Sequence, residues 1–182
     1  MTKYAAFLRG VNVGGVNLKM ADVATALTDA GLADVRTILA TGNVTLDSPD
    51  AADAVRSTAE KALRKRFGYD AWVLVYPIRK VRAIVDGYPF EPELDGYQSY
   101  VTFVSDTDVL VELAALADAA LADEAEADEK IARGLKSAGV IYWQVPKNQT
   151  LDSSIGKTMG KKRYKSSTTT RNLRTLVKVL RD

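Results

Sequence analysis

The chain is expected to fold as an α+β protein of two ferredoxin-like (βαββαβ-type) sub-domains with a C-terminal helix. Three observations predict this. Apolar spacing alternates between strand-like and helical periods in the order β-α-β-β-α-β over the first half. A related succession recurs in the second half. Glycines also stand just past two of the helical segments, where a left-handed C′ residue belongs. The sub-domains are placed at residues 1–90 and 91–182, because three of the five prolines fall between Pro77 and Pro92. A single mixed sheet spanning both halves is the competing arrangement.

Tyr4 to Arg9 reads as a short apolar strand, ended by the glycine-rich stretch Gly10 to Asn17. Met20, Val23, Ala24, Leu27 and Ala30 recur at helical spacing, with Gly31 behind them. Val35 to Ala40 and Val44 to Asp47 read as strands around the turn Thr41-Gly42-Asn43. Ala52, Val55, Ala59, Leu63 and Phe67 mark a second helix closed by Gly68, and Trp72 to Tyr76 a fourth strand. A short helix near Ile78 to Asp86 leads into the proline-bearing bridge. Beyond it, Gln98 to Val104 alternates like a strand, and Val109, Leu113, Leu116 and Ala120 form a helical stripe after the cap candidate Thr107. Ile131 to Lys136 and Val140 to Val145 form a hairpin, and Leu151 to Met159 a further helical stretch. Thr170 is the cap candidate of a last helix lined by Leu173, Leu176, Val177 and Leu180.

The chain of 182 residues contains no cysteine and no histidine. That excludes disulfides, thiol catalysis, cysteine-based metal sites and the usual general base near neutral pH. No metal site and no cofactor are expected. An enzyme would have to work with Lys, Tyr, Arg, Asp or Glu. No apolar run approaches the roughly 20 residues of a bilayer span. The start shows no signal-peptide core, so the chain is expected in the cytoplasm.

The net charge is only +2, but it is strongly segregated. Asp106 to Glu129 carries −9 with no basic residue, and Lys157 to Asp182 carries +8. A basic tail of this size suits a phosphate-rich partner. The alternative is a solvated face, partly neutralised by the acidic stretch of the same half.

Several near-motifs fail. Gly10 and Gly15 have P-loop spacing, but Val16 and Asn17 replace the required Lys and Ser/Thr, and Asn12 breaks the dinucleotide fingerprint. The loop still sets Arg9, Asn12 and Asn17 beside Gly10, Gly14 and Gly15, which suits an anion site as well as a simple connector. Gly156-Lys157-Thr158 lacks the leading glycine of a P-loop. Gly96 to Phe103 resembles the aromatic strand of RNA-recognition motifs but has one residue too many and Asp95 in place of the basic residue, which favours core packing.

Tyr4 to Asn17 resembles the opening of the domain of unknown function 1697 family, found widely in bacteria. Val35 to Val44 is similar to that family's V-x-T-x-x-x-S-G-N-V hairpin, with Thr41 where Ser is common. Thr169 to Leu176 is similar to its closing T-x-R-N-W-x-T segment, with Leu173 in place of Trp. The resemblance covers nearly the whole chain and implies two ferredoxin-like halves. It implies no activity and carries over no catalytic residue.

These observations combine into one expectation, a site for an anionic ligand, either a nucleotide or a nucleic acid. Its candidate residues are Arg9, Asn12, Gly14, Gly15, Asn17 and Asn43 from the first half, with Lys157, Arg171, Asn172 and Arg174 from the second. The alternative is that Arg9 and Arg171 are structural buttresses. A small-molecule enzyme for a phosphorylated or carboxylate substrate, and a protein-interaction or structural role, remain open beside it.

Overall fold

A computed structural model describes residues 1–11, 17–122, 128–135 and 138–182. The chain is mixed α+β and divides into two compact units, Met1–Arg82 with Val177–Asp182, and Ala83–Leu176. Each unit holds one four-stranded antiparallel sheet.

In the first unit, β1 (Thr2–Arg9) runs between β3 (Asn43–Ser48) and β4 (Trp72–Pro77), and β2 (Ala33–Ile38) flanks β3. Helices α1 (Met20–Asp29) and α2 (Ala52–Phe67) supply the apolar rows for one core. Alternation along β1 sends Tyr4, Ala6 and Leu8 into that core. They meet Val23 and Leu27 of α1, and Val55, Ala59 and Leu63 of α2, which recur every four residues. Each fully buried Val or Leu contributes roughly 1.5–3 kcal/mol. Gly68 ends α2 in the left-handed conformation, φ 66°, at little steric cost.

The end of the chain is tied to this sheet. The Thr45 hydroxyl, fully buried, donates to the Asp182 carboxylate at 2.6 Å, and Lys3 Nζ donates to the Asp182 main-chain oxygen at 2.8 Å. Helices α3 (Ile78–Asp86) and α7 (Leu173–Arg181) each contain one of the two points where the chain passes from one unit to the other.

The second unit centres on β5 (Tyr97–Val104), between β7 (Val140–Pro146) and β8 (Thr168–Asn172), with β6 (Lys130–Arg133) beyond β7. Helix α4 (Thr107–Ala122) and the short helices α5 (Ser154–Met159) and α6 (Lys162–Lys165) accompany it. Val109, Leu113 and Ala117 of α4 pack with Ile141, Trp143, Ile155 and Met159. Trp143 stacks on Tyr100 at 4.4 Å and donates its indole N–H to Thr102 Oγ1 at 2.9 Å, so its one polar atom is satisfied.

Two local expectations are corrected here. Thr170 does not cap the last helix but lies in β8, which the periodicity did not reveal. The β-branched run Thr168 to Thr170 pairs along β5, and the hydroxyls of Thr102 and Thr170 lie 2.8 Å apart. The cap of α7 is Asn172, whose Oδ1 accepts from Arg174 N at 2.9 Å. Asp106, rather than Thr107, caps α4, accepting from the N–H groups of Asp108 and Val109 at 2.8 and 3.0 Å.

Burial pushes the phenols of Tyr88 and Tyr142 up to about 12. The Tyr142 hydroxyl donates to Ile84 O at 2.7 Å, and the two rings meet edge to face at 5.6 Å. An unfolded tyrosine ionises near pH ~10, so these phenols hold their full stabilisation below that pH and lose it as the pH climbs to about 12. Urea unfolding at stepped alkaline pH should show stability falling across that window, with a shallower fall in Tyr142→Phe.

Candidate functional site

Of the candidate residues of the first unit, Arg9 and Asn43 lie at the same end of the sheet, where β1 ends and Asn43 pairs with Phe7. Arg9 pairs with Trp72 across β1 and β4, and its guanidinium lies 5.2 Å from the centre of the indole ring. Burial lowers its pKa. Gly10 then turns the chain with φ 76°. Asn12, Gly14 and Gly15 lie outside the described residues, and Asn17 is exposed ahead of α1. Asn43 is fully buried and closes its own hairpin. Its Nδ2 donates to Ile38 O at 3.0 Å and to Thr41 Oγ1 at 2.9 Å. Beside it, Gly42 at φ 78° sits so close to β1 that a Cβ would stand 3.0 Å from Leu8 Cβ.

In the second unit, Arg171, Asn172 and Arg174 follow one another across the junction of β8 and α7. Arg171 is 8% exposed, and its Nη1 donates to Thr169 Oγ1 at 2.7 Å and to Thr170 O at 3.0 Å. Burial pulls its pKa down to about 10. Asn172 spends its carbonyl on the cap of α7. Arg174 is exposed and pairs with Glu93 at 2.8 Å. Lys157 stands apart from these three in sequence, exposed on α5.

The position of α5 is set by several short contacts. Ser153 Oγ accepts from Gly156 N and donates to Thr150 O, both at 2.9 Å. Gly156 approaches the preceding loop so closely that a Cβ would lie 1.7 Å from Thr150 O. The Glu129 carboxylate accepts from Ser154 N at 3.0 Å and from Ile155 N at 3.2 Å, ahead of the helix dipole. Spacing gave no hint of this cap, since Glu129 and Ser154 are 25 residues apart.

The acidic and basic stretches of this half do touch. Arg163 grips Glu112 through two nitrogens, one of them at 2.9 Å, which lowers the pKa of the carboxyl and raises that of the guanidinium. Arg133 pairs with Asp118 at 3.3 Å. Lys157, Lys161, Lys162 and Lys165 are exposed on and beside α5 and α6. Among the described residues, none of these four lysines has a carboxylate within 4.0 Å. The described residues hold no cluster of three acidic, histidine or cysteine side chains able to bind a metal. No described helix is long and apolar enough to cross a membrane.

A family model described as "Protein of unknown function (DUF1697)" matches residues 1–134. No curated protein matches the chain. Among solved structures, the conserved bacterial protein SP0830 from Streptococcus pneumoniae superposes with a TM-score of 0.75. The alignment covers 99% of this chain and 97% of that one at 21% identity, a likeness of fold.

Two substitutions test the local geometry. Arg171→Ala removes a buried side chain and its hydrogen bonds, and should cost about 2–4 kcal/mol in a urea unfolding series. Gly156→Ala sets a methyl group against the main-chain oxygen of Thr150. It should destabilise by at least about 2 kcal/mol, whereas Gly160→Ala should be nearly neutral.

Proposed function

The chain belongs to the DUF1697 family, and we propose that it is a binding module for nucleic acid, gripping phosphates through the exposed lysines of the α5–α6 segment. The observation that carries this reading is the set Lys157, Lys161, Lys162 and Lys165, four cations within nine residues. All four are exposed and unneutralised by any carboxylate within 4.0 Å among the described residues. Of the residues singled out from the sequence, Lys157 is the one retained as a direct contact. Arg171 and Asn172 serve to hold β8 and the start of α7.

Lysine is a flexible point charge without the planar fork that lets arginine read guanine edges. A lysine surface therefore favours the phosphate backbone over base sequence. The one aromatic side chain within α6, Tyr164, packs against the core and is poorly placed to stack on bases. Binding that is strong at low salt and indifferent to sequence follows. A ferredoxin-like topology for both halves is part of this proposal, supported by the matching orders β2-β3-β1-β4 and β6-β7-β5-β8. So is a cytoplasmic location, where such a ligand would be met.

Fluorescence anisotropy of labelled single-stranded RNA and duplex DNA tests the proposal. Four phosphate contacts imply that log K falls against log salt with a slope of roughly −3 to −4. The double reversal Lys161→Glu, Lys165→Glu should weaken binding by at least about tenfold. No binding at low salt would remove the proposal, and binding indifferent to the reversals would move the site elsewhere.

A further inference from the structure

Resting on the nucleic-acid reading, we propose that the exposed lysines of α5 and α6 form a preset array for the backbone of double-stranded nucleic acid, with Glu112 and Glu129 as the residues that position it.

Three observations choose the duplex. The first is that the segment is anchored at several points along its length. Ser153 caps α5 by accepting from Gly156 N at 2.9 Å, and Glu129 accepts from Ser154 N and Ile155 N at 3.0 and 3.2 Å. Ile155 and Met159 are buried in the core of the second unit, and Tyr164 packs against it. The Glu112 carboxylate holds Arg163 through two of its nitrogens. Lys157 thus lies between the anchors Ile155 and Met159, Lys161 and Lys162 between Met159 and Arg163, and Lys165 just after Tyr164. Cations on an anchored main chain suit phosphates whose spacing is already fixed. A single strand has to be ordered against them, a cost in chain freedom that the duplex avoids.

The second observation concerns bases. From Pro146 to Asp182 the chain has one aromatic side chain, Tyr164, and the core takes it. Surfaces that hold single strands combine cations with aromatic rings on which bases stack. This segment offers the cations alone.

The third is charge density. Four lysine–phosphate contacts give a slope of log K against log salt of about −3.6 on a duplex and about −2.8 on a single strand. From equal affinity at about 1 M salt, that difference favours the duplex about sixfold at about 0.1 M. Glu112 and Glu129 act through the protein and do not touch the ligand. Repulsion alone predicts that removing either carboxylate tightens a polyanion. Positioning predicts the reverse, because a released segment presents its lysines to fewer phosphates at once.

The test is anisotropy of a labelled duplex DNA and of each of its separated strands, titrated with the full chain. The duplex should bind at least about fivefold more tightly than either strand in about 0.1 M salt. Glu112→Ala and Glu129→Ala should each weaken duplex binding at least about threefold and flatten its salt slope. Asp108→Ala removes a charge from the same helix, but Asp108 makes no hydrogen bond or ion pair to α5 or α6 among the described residues. It should leave duplex binding equal or slightly tighter. Trypsin should cut after Lys157, Lys161 and Lys165 faster in the two glutamate variants than in Asp108→Ala, with circular dichroism checking that all three fold. Glutamates with a merely structural role would lower the melting temperature and leave the salt slope alone. Binding of neither polymer would remove the nucleic-acid reading and the duplex with it. A single strand held as tightly as the duplex would overturn the duplex preference alone. Duplex binding that tightens in Glu112→Ala as it does in Asp108→Ala would overturn the preset array, by showing that the lysines need no positioning.

Discussion

Each sheet has two inner strands, and of these β1 and β5 join the hairpin on one side to the last strand of the sheet on the other, so the remaining elements are arranged to satisfy them. Ala5, Ala6 and Phe7 of β1 are wholly inaccessible, as are Val101, Thr102 and Phe103 of β5. A strand in that position can leave no N–H or C=O unpaired, because an orphaned buried polar group costs about 1–3 kcal/mol. It therefore fixes the register of both neighbours: Phe7 opposes Asn43 and Leu74, and Val101 opposes Tyr142 and Arg171. Once those pairs are set, alternation decides which residues of β3, β4, β7 and β8 face the helices.

The same constraint accounts for the behaviour of the most polar candidate residues. Where a strand ends or a helix begins, main-chain groups have no ladder or helix partner, and polar side chains are drawn in to meet them. Asn43 does this for the hairpin, Asn172 for the first turn of α7, and Glu129 for the first turn of α5. Arg171 is buried beside two oxygens of its own strand, with its charge partly destabilised by burial. A long cation placed in that setting contributes packing as well as hydrogen bonds.

Much of the fold was legible in the sequence because its signals were periodic. The rows Val23–Leu27 and Val55–Ala59–Leu63, each followed by a glycine, marked α1 and α2, and Ile78 to Asp86 marked α3. What escaped notice was structure made by pairing at a distance. The threonines of β8 look like helix-capping residues until Thr170 is seen opposite Thr102. The carboxylate of Glu129 reaches α5 across a gap that no local window spans. For the candidate site, the clustering of charge was readable, whereas the fate of each side chain was not. A sequence shows that Asn43 and Lys157 are polar, but not that one points at its own turn and the other at solvent.

Charge segregation within the second unit has its own physical logic. Among the described residues, several carboxylates of the acidic stretch have fixed tasks: Asp106 caps α4, Asp118 holds Arg133, Glu129 caps α5, and Glu112 holds Arg163. Two of these hold the basic segment in place, because Glu129 and Glu112 contact α5 and α6 directly. Acidic residues used in this way are consumed locally. They anchor the segment through one arginine and two main-chain N–H groups while leaving its lysines unneutralised. At physiological ionic strength charges further off than about 8 Å are largely screened. On α4 the other acidic side chains are Asp108 and Asp118, the latter paired with Arg133. The acidic stretch thus acts as a scaffold for the basic segment, through the contacts of Glu129 with α5 and of Glu112 with Arg163.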